Sequence, residues 1–155
     1  MQFRVMPIPN DIAGEVRACL KSPQYGHPAH VDVARGYGPC RSCLRTFRKG
    51  EEERILFTYE PFAGLLKVPS PGPVFIHKEE CLPFDEEGFP PEVRNLPLLL
   101  EGYESGGLVV EREHVENDSI EKAISRIFQN QEIDFINVRN YEAGCFIARI
   151  ERAGE

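Results

Sequence analysis

The sequence predicts an α+β protein: a mainly antiparallel sheet with one or two packed helices, joined to a loop-rich, zinc-finger-like N-terminal half. Three observations predict it. From Leu98 onward, β-prone runs separated by turn residues flank one amphipathic helical stretch, in the order β-β-α-β-β. Before that point, prolines and glycines break the chain into short pieces. Within the broken half, Cys40-x-x-Cys43 is followed, after 33 intervening residues, by His77-x-x-x-Cys81. At 155 residues, 41% hydrophobic and 28% charged, the chain is long enough to bury a real core as a single domain, 1–155. Residues 36–84 form its Cys/His subregion and 98–152 its sheet-and-helix core.

Phe3-Arg4-Val5-Met6 alternates and reads as a short strand, which Pro7 and Pro9 end. Asn10 or Asp11 then caps a helix reaching about Lys21, with Ile12, Val16, Cys19 and Leu20 at helical spacing on one face. On that reading Cys19 is a small buried apolar residue. Residues 22–39 are loop with one extended piece near Val31–Val33. They carry His27 and His30, a metal or acid/base pair in the functional reading and two exposed loop histidines in the plainer one, which the lack of nearby ligands favours. Arg54–Tyr59 and Pro73–His77 are strands. Glu60–Gly72, with Pro61, Gly64, Pro69 and Pro71, is an irregular connection, and Lys78–Leu82 has room for one helical turn before Pro83 stops it. Residues 85–97 form an acidic, proline-rich bridge, the candidate boundary between the two halves. Leu98–Glu104 and Leu108–His114 are strands around the hairpin turn Ser105-Gly106-Gly107. Asp118 and Glu121 have capping-box spacing at the start of a helix whose Ile120, Ala123, Ile124, Ile127 and Phe128 share one face. Ile133–Asn140 and Cys145–Arg152 are the last strands. In the second of them, Phe146, Ala148 and Ile150 point one way and Cys145, Ile147 and Arg149 the other.

Charge narrows the function classes. The net charge of −7 combines +5 over residues 1–50 with −12 over 51–155, so most of the surface repels phosphate backbones and nucleic-acid binding is disfavoured. Arg41, Arg45, Arg48 and Lys49 form the one basic group, read as solvated charge facing Glu51-Glu52-Glu53, or alternatively as a dock for an acidic protein partner. The opening MQFRVMPIPND has no apolar signal region, and the longest aliphatic run, Leu98–Leu100, is too short to span a bilayer. The expectation is a cytoplasmic protein without a membrane partner. Five cysteines, an odd number, then point to reduced thiols or metal ligation.

Cys40, Cys43, His77 and Cys81 are the expected metal ligands, and zinc in a structural role the expected cofactor, because zinc takes four ligands tetrahedrally and Cys₃His is one of its structural sets. A Cys-x-x-Cys knuckle suits the sharp turn that Gly36, Gly38 and Pro39 lead into, and a His and a Cys four apart meet on one side of a helical turn. Three other readings compete. Cys40 and Cys43 could be a redox pair, although no strand precedes them. Cys145 could be a nucleophile with His77 or His114 as base and Glu111 or Glu113 as orienter; its plainer reading is a half-buried thiol at a strand end. All five cysteines could be reduced and buried in a metal-free interaction domain.

Two resemblances extend this. Cys40-x-x-Cys43, the Lys49-Gly50-Glu51 turn, the strand ending Val74-Phe75-Ile76-His77, and Cys81 resemble treble-clef zinc fingers over residues 38–84, with one residue more in the final spacing and Pro83 where a helix should follow. Phe3-Arg-Val, Pro39-Cys40-Arg41, Gly50-Glu51, Tyr59-x-Pro61-Phe62, Gly72-Pro-Val-Phe-Ile76 and Gly144-Cys145-Phe146 together resemble a bacterial family named only as domain of unknown function 1203. That resemblance runs the length of the chain and implies no catalytic residues. The function expected is a non-catalytic, zinc-stabilised binding or regulatory module.

Overall fold

Two helices and two antiparallel sheets make up the regular structure of residues 2–36, 38–62 and 72–154, which are those described by the computed structural model. The fold is α+β, as expected. In order the elements are β1 (Phe3–Met6), α1 (Asn10–Cys19), β2 (His30–Val33), β3 (Glu53–Tyr59), β4 (Gly72–His77), β5 (Leu98–Glu104), β6 (Val109–Val115), α2 (Ile120–Phe128), β7 (Ile133–Asn140) and β8 (Phe146–Arg152). The larger sheet runs β1-β8-β7-β5-β6 and the smaller β2-β3-β4. The irregular connection expected at 60–72 lies, over 63–71, outside the described residues. No described helix is long and apolar enough to cross a membrane.

Each sheet has its own helix. α2 lies across β5, β6 and β7 with Ile120, Ala123, Ile124, Ile127 and Phe128 fully buried, the face its 3.6-residue period predicts. Its cap differs from expectation. Glu116 and Ser119, at a short 3₁₀ turn, form the capping box in place of Asp118 and Glu121. At the other end, Arg152 of β8 donates to the Phe128 and Asn130 carbonyls at 3.0 Å, satisfying acceptors that the helix leaves open. β5 approaches α2 closely because Gly102 has no side chain. A Cβ there would sit 2.7 Å from Ile133 Cδ1 and 3.0 Å from Ile127 Cγ2. Gly102→Ala is therefore expected to destabilise by about 1–3 kcal/mol through overpacking, read as a lower thermal midpoint by circular dichroism. An unchanged midpoint would contradict that packing.

α1 covers the smaller sheet through Ala13 and Val16, which join Ile55, Phe57, Val74 and Ile76 in a second core. Cys19, expected to be buried, is exposed. The helix ends at Cys19, and Leu20 takes the left-handed conformation as its C-cap, so the last turn rolls away from the core. The two cores interlock. Leu44, and Phe89 and Val93 of the proline-rich bridge, pack in the α2 core, whereas Phe146 of β8 packs against the α1 core. Phe146 was expected on the same side as Ala148 and Ile150. A bulge between Val138 and Arg139 absorbs one residue of β8, so Arg139 pairs with Phe146 while Val138 pairs with Ala148. Phe146 is thereby turned to the Arg149 side.

Candidate metal centre

The site begins at the turn 40–44. Pro39 bridges to Thr46, the Cys40 N–H donates to the Arg45 carbonyl at 2.9 Å, and the Leu44 N–H returns to the Cys40 carbonyl at 2.9 Å. Leu44 has φ 57°, a left-handed conformation costing an L-residue roughly 1–2 kcal/mol, offset here by full burial of its side chain. Backbone bonds then seat the turn: the Arg41 N–H donates to Phe75 of β4, and the Phe84 N–H to Ser42, at 3.0 and 2.9 Å. Arg41 locks it sideways. Its guanidinium donates to the Phe146 and Pro39 carbonyls at 2.7 and 2.6 Å. Arg41 is 5% exposed, and burial lowers its pKa to about 10. It therefore drops out of the expected basic group. Arg45, Arg48 and Lys49 remain exposed, and Arg48 does face the acidic run, 3.8 Å from Glu52.

His77 ends β4, and Cys81 follows after a bend, not after the helical turn expected for Lys78–Leu82. The smaller sheet folds β4 back beside β3, so the two pairs meet. One ligand atom each from Cys40, Cys43, His77 and Cys81 lies within 4.8 Å of the others. Cys40 Sγ and Cys81 Sγ are 3.9 Å apart, and Cys43 Sγ and His77 Nδ1 3.5 Å apart. A tetrahedron with metal–sulfur bonds of about 2.3 Å and metal–nitrogen bonds of about 2.0–2.1 Å has edges of about 3.8 Å between sulfurs and about 3.5 Å from sulfur to nitrogen. These two opposite edges of the cluster fit that figure. The arrangement could hold a metal ion. The segment after Cys81 has no helix where a treble clef would place one; residues 81–86 are irregular.

Surrounding groups orient the four side chains. His77 Nε2 lies 3.0 Å from Glu52 Oε2, while the other oxygen of Glu52 accepts the Arg48 N–H at 2.6 Å. A carboxylate at that distance would favour the tautomer with its proton on Nε2, which leaves Nδ1 to ligate. The His77 N–H points at Cys40 Sγ from 3.3 Å. Arg17, reaching in from α1, donates to the His77 carbonyl at 3.0 Å and to Cys81 Sγ at 3.2 Å. Neither Arg17 nor Glu52 was anticipated as part of the site. The available signals were the position of Arg17 beside Val16 on the inner side of α1 and that of Glu52 just after the Gly50 turn.

The proton chemistry fits a cation. Contact with Cys40 and Cys43 drives the Cys81 thiol well below its usual range, with help from Arg17. Contact with Cys40 and Cys81 drives Cys43 up and holds His77 up to about 10. Three sulfurs this close cannot all ionise without a compensating charge. A divalent ion would supply it, leaving one net negative charge opposite the Arg17 guanidinium. Cys43, His77 and Cys81 also line a cleft of about 1220 Å³, so the cluster borders open surface.

The remaining candidates lie apart. His27 and His30 are exposed, His27 stacking on Tyr25. Cys40 is at no helix N-terminus, which removes the device that activates redox pairs. Cys145 is half-buried, and among the described residues no histidine shares its cavity; His77 faces Cys43 and Glu52, and His114 stacks on Tyr141 with ring centres 3.7 Å apart.

Among known families, the one described as protein of unknown function (DUF1203) matches residues 37–152. No curated protein and no solved structure matches the chain.

Proposed function

The chain belongs to this family of unknown function, and on that premise we propose that Cys40, Cys43, His77 and Cys81 hold one zinc ion in a structural role, within a non-catalytic binding or regulatory module. The observation that carries the reading is the agreement of the cluster's 3.9 and 3.5 Å edges with a Cys₃His zinc tetrahedron. Four protein ligands close the coordination sphere and leave no position for a substrate, which sets the site apart from catalytic zinc. Bound there, zinc supplies charge neutralisation and a cross-link among the 40–44 turn, β4 and the segment after it. Arg17 and Glu52 serve the site from outside, one facing the Cys81 sulfur and the other the far nitrogen of His77.

Elemental analysis of the purified protein is the direct test, with about one zinc per chain expected; a fully folded protein with no bound metal overturns the reading. Glu52→Gln and Arg17→Met are each expected to weaken zinc binding by roughly 10–100-fold in competition with a chelator, while stoichiometry at saturating zinc stays at one. Unchanged affinity in both variants would show that these two side chains do not tune the ion.

A further inference from the structure

The face of the larger sheet turned away from α2 carries polar groups that the metal cluster does not use. Arg112, Glu101, Asn137 and Arg149 stand opposite one another across β6, β5, β7 and β8. Glu101, 1% exposed, accepts from Arg112 Nε at 3.0 Å, Asn137 Nδ2 at 3.1 Å and Arg139 Nη1 at 3.3 Å. The bond to Glu101 fixes which way the Asn137 amide points, because only its nitrogen can donate to a carboxylate. Its Oδ1 therefore faces away. That oxygen has no partner among the described residues, although Asn137 is 1% exposed. Buried carbonyl oxygens are normally satisfied, so this one points to a donor brought from outside.

Asn137 lines a cavity of about 160 Å³ where the two sheets meet, with Arg139, Tyr59, Pro73, Cys145 and Phe146 among its other walls. Arg139 donates through Nε to the Gly144 carbonyl at 2.9 Å and through Nη1 to Glu101, which leaves Nη2 available to an acceptor. Arg112 and Arg139 share the single carboxylate of Glu101, so Glu101 offsets only part of the Arg139 charge at this corner of the cavity. The cavity is close to the roughly 150 Å³ that encloses benzene, which sets the ligand at about six non-hydrogen atoms.

We propose that the cavity binds a small carboxylate bearing a hydroxyl or amino group on the adjacent carbon. Its carboxylate faces Arg139, its hydroxyl or amino group donates to Asn137 Oδ1, and its short chain lies against Tyr59 and Phe146. Cys145 marks the cavity wall and reports occupancy. The inference uses none of the four metal ligands and stands whether or not zinc is bound.

The test uses the full-length protein as purified and follows iodoacetamide labelling of Cys145 by peptide mass mapping, which separates it from exposed Cys19. The probes are L-lactate and L-alanine, which carry the adjacent hydroxyl and amino group, and propionate, which carries neither. Lactate or alanine is expected to slow labelling saturably below about 50 mM, in the millimolar affinity range that suits so small a ligand. Propionate is expected to require a roughly tenfold higher concentration, because it leaves Asn137 Oδ1 without its donor. Asn137→Ala, shown to be folded by circular dichroism, should erase the difference between lactate and propionate. Absence of protection by both lactate and alanine overturns the proposal and leaves a cavity that holds only water. Equal protection by propionate overturns it too, and that comparison is made on the unaltered protein and needs no variant to fold.

Discussion

Replacing Cys40 with serine is expected to abolish zinc binding and to lower stability by about 3–5 kcal/mol. Structural zinc contributes an apparent ~10–16 kcal/mol in small finger peptides, where it holds the whole fold; here the α1 and α2 cores carry most of the stability, so losing the ion costs less. Cys40 is the most deeply placed of the four, fully buried, 3.9 Å from Cys81 Sγ and facing the His77 N–H. Its loss would free the 40–44 turn from β4 and the bend at Cys81. At this chain length the thermal midpoint should fall by roughly 10 °C. Excess chelator should bring the unaltered protein toward the same midpoint and move the variant little further. Cys19→Ser, at an exposed position, is the matched control and should leave the midpoint unchanged within about 0.5 kcal/mol. Equal effects of the two substitutions would remove Cys40 from any metal site.

Glu101→Leu is expected to cost about 3 kcal/mol in denaturant unfolding, by a mechanism that has nothing to do with metal. The carboxylate sits at 1% exposure with three donors converging on it. Leucine would leave Arg139 and the Asn137 amide facing an apolar wall, and removing one partner of a buried charge typically costs about 3–5 kcal/mol. The lower end applies because Arg112 is 63% exposed and Arg139 32% exposed, so water recovers part of their solvation. Glu101→Gln keeps an acceptor and should cost about 1–2 kcal/mol. A leucine variant as stable as the glutamine variant would mean that the carboxylate is not needed where it lies.

The main sheet was legible because β-prone runs of seven or eight residues are set off by turn residues, and α2 because five apolar residues fall on one helix face. What escaped were features set by contacts distant in the chain. The spacing of Cys19 matched a buried helix face, but the helix ends before that turn can reach the core. Arg41 read as surface charge, and the approach of the Phe146 carbonyl, 105 residues away, joins that of nearby Pro39 to make its burial tolerable. A single bulge opposite Arg139 moved Phe146 from one side of β8 to the other, and periodicity alone cannot locate a bulge. The four candidate ligands were readable from residue type and spacing, since thiols and imidazole announce their chemistry. Arg17 and Glu52 were not, because arginine and glutamate on helices and in turns are usually solvated, and only the fold reveals which ones turn inward.

β6 closes the larger sheet on one side with a row of main-chain donors and acceptors that no other described strand takes up. A strand left open in this way could recruit a stray chain during synthesis, and its outward residues decide whether it does. Glu111, Arg112, Glu113 and His114 put charged or polar groups on both of its faces, two of them already engaged, Arg112 with Glu101 and Glu113 with Arg126. An incoming segment would have to disrupt or bury those pairs to align with the edge. The charge along β6 thus acts as a guard against aggregation, allowing an exposed strand to end the sheet without becoming a template.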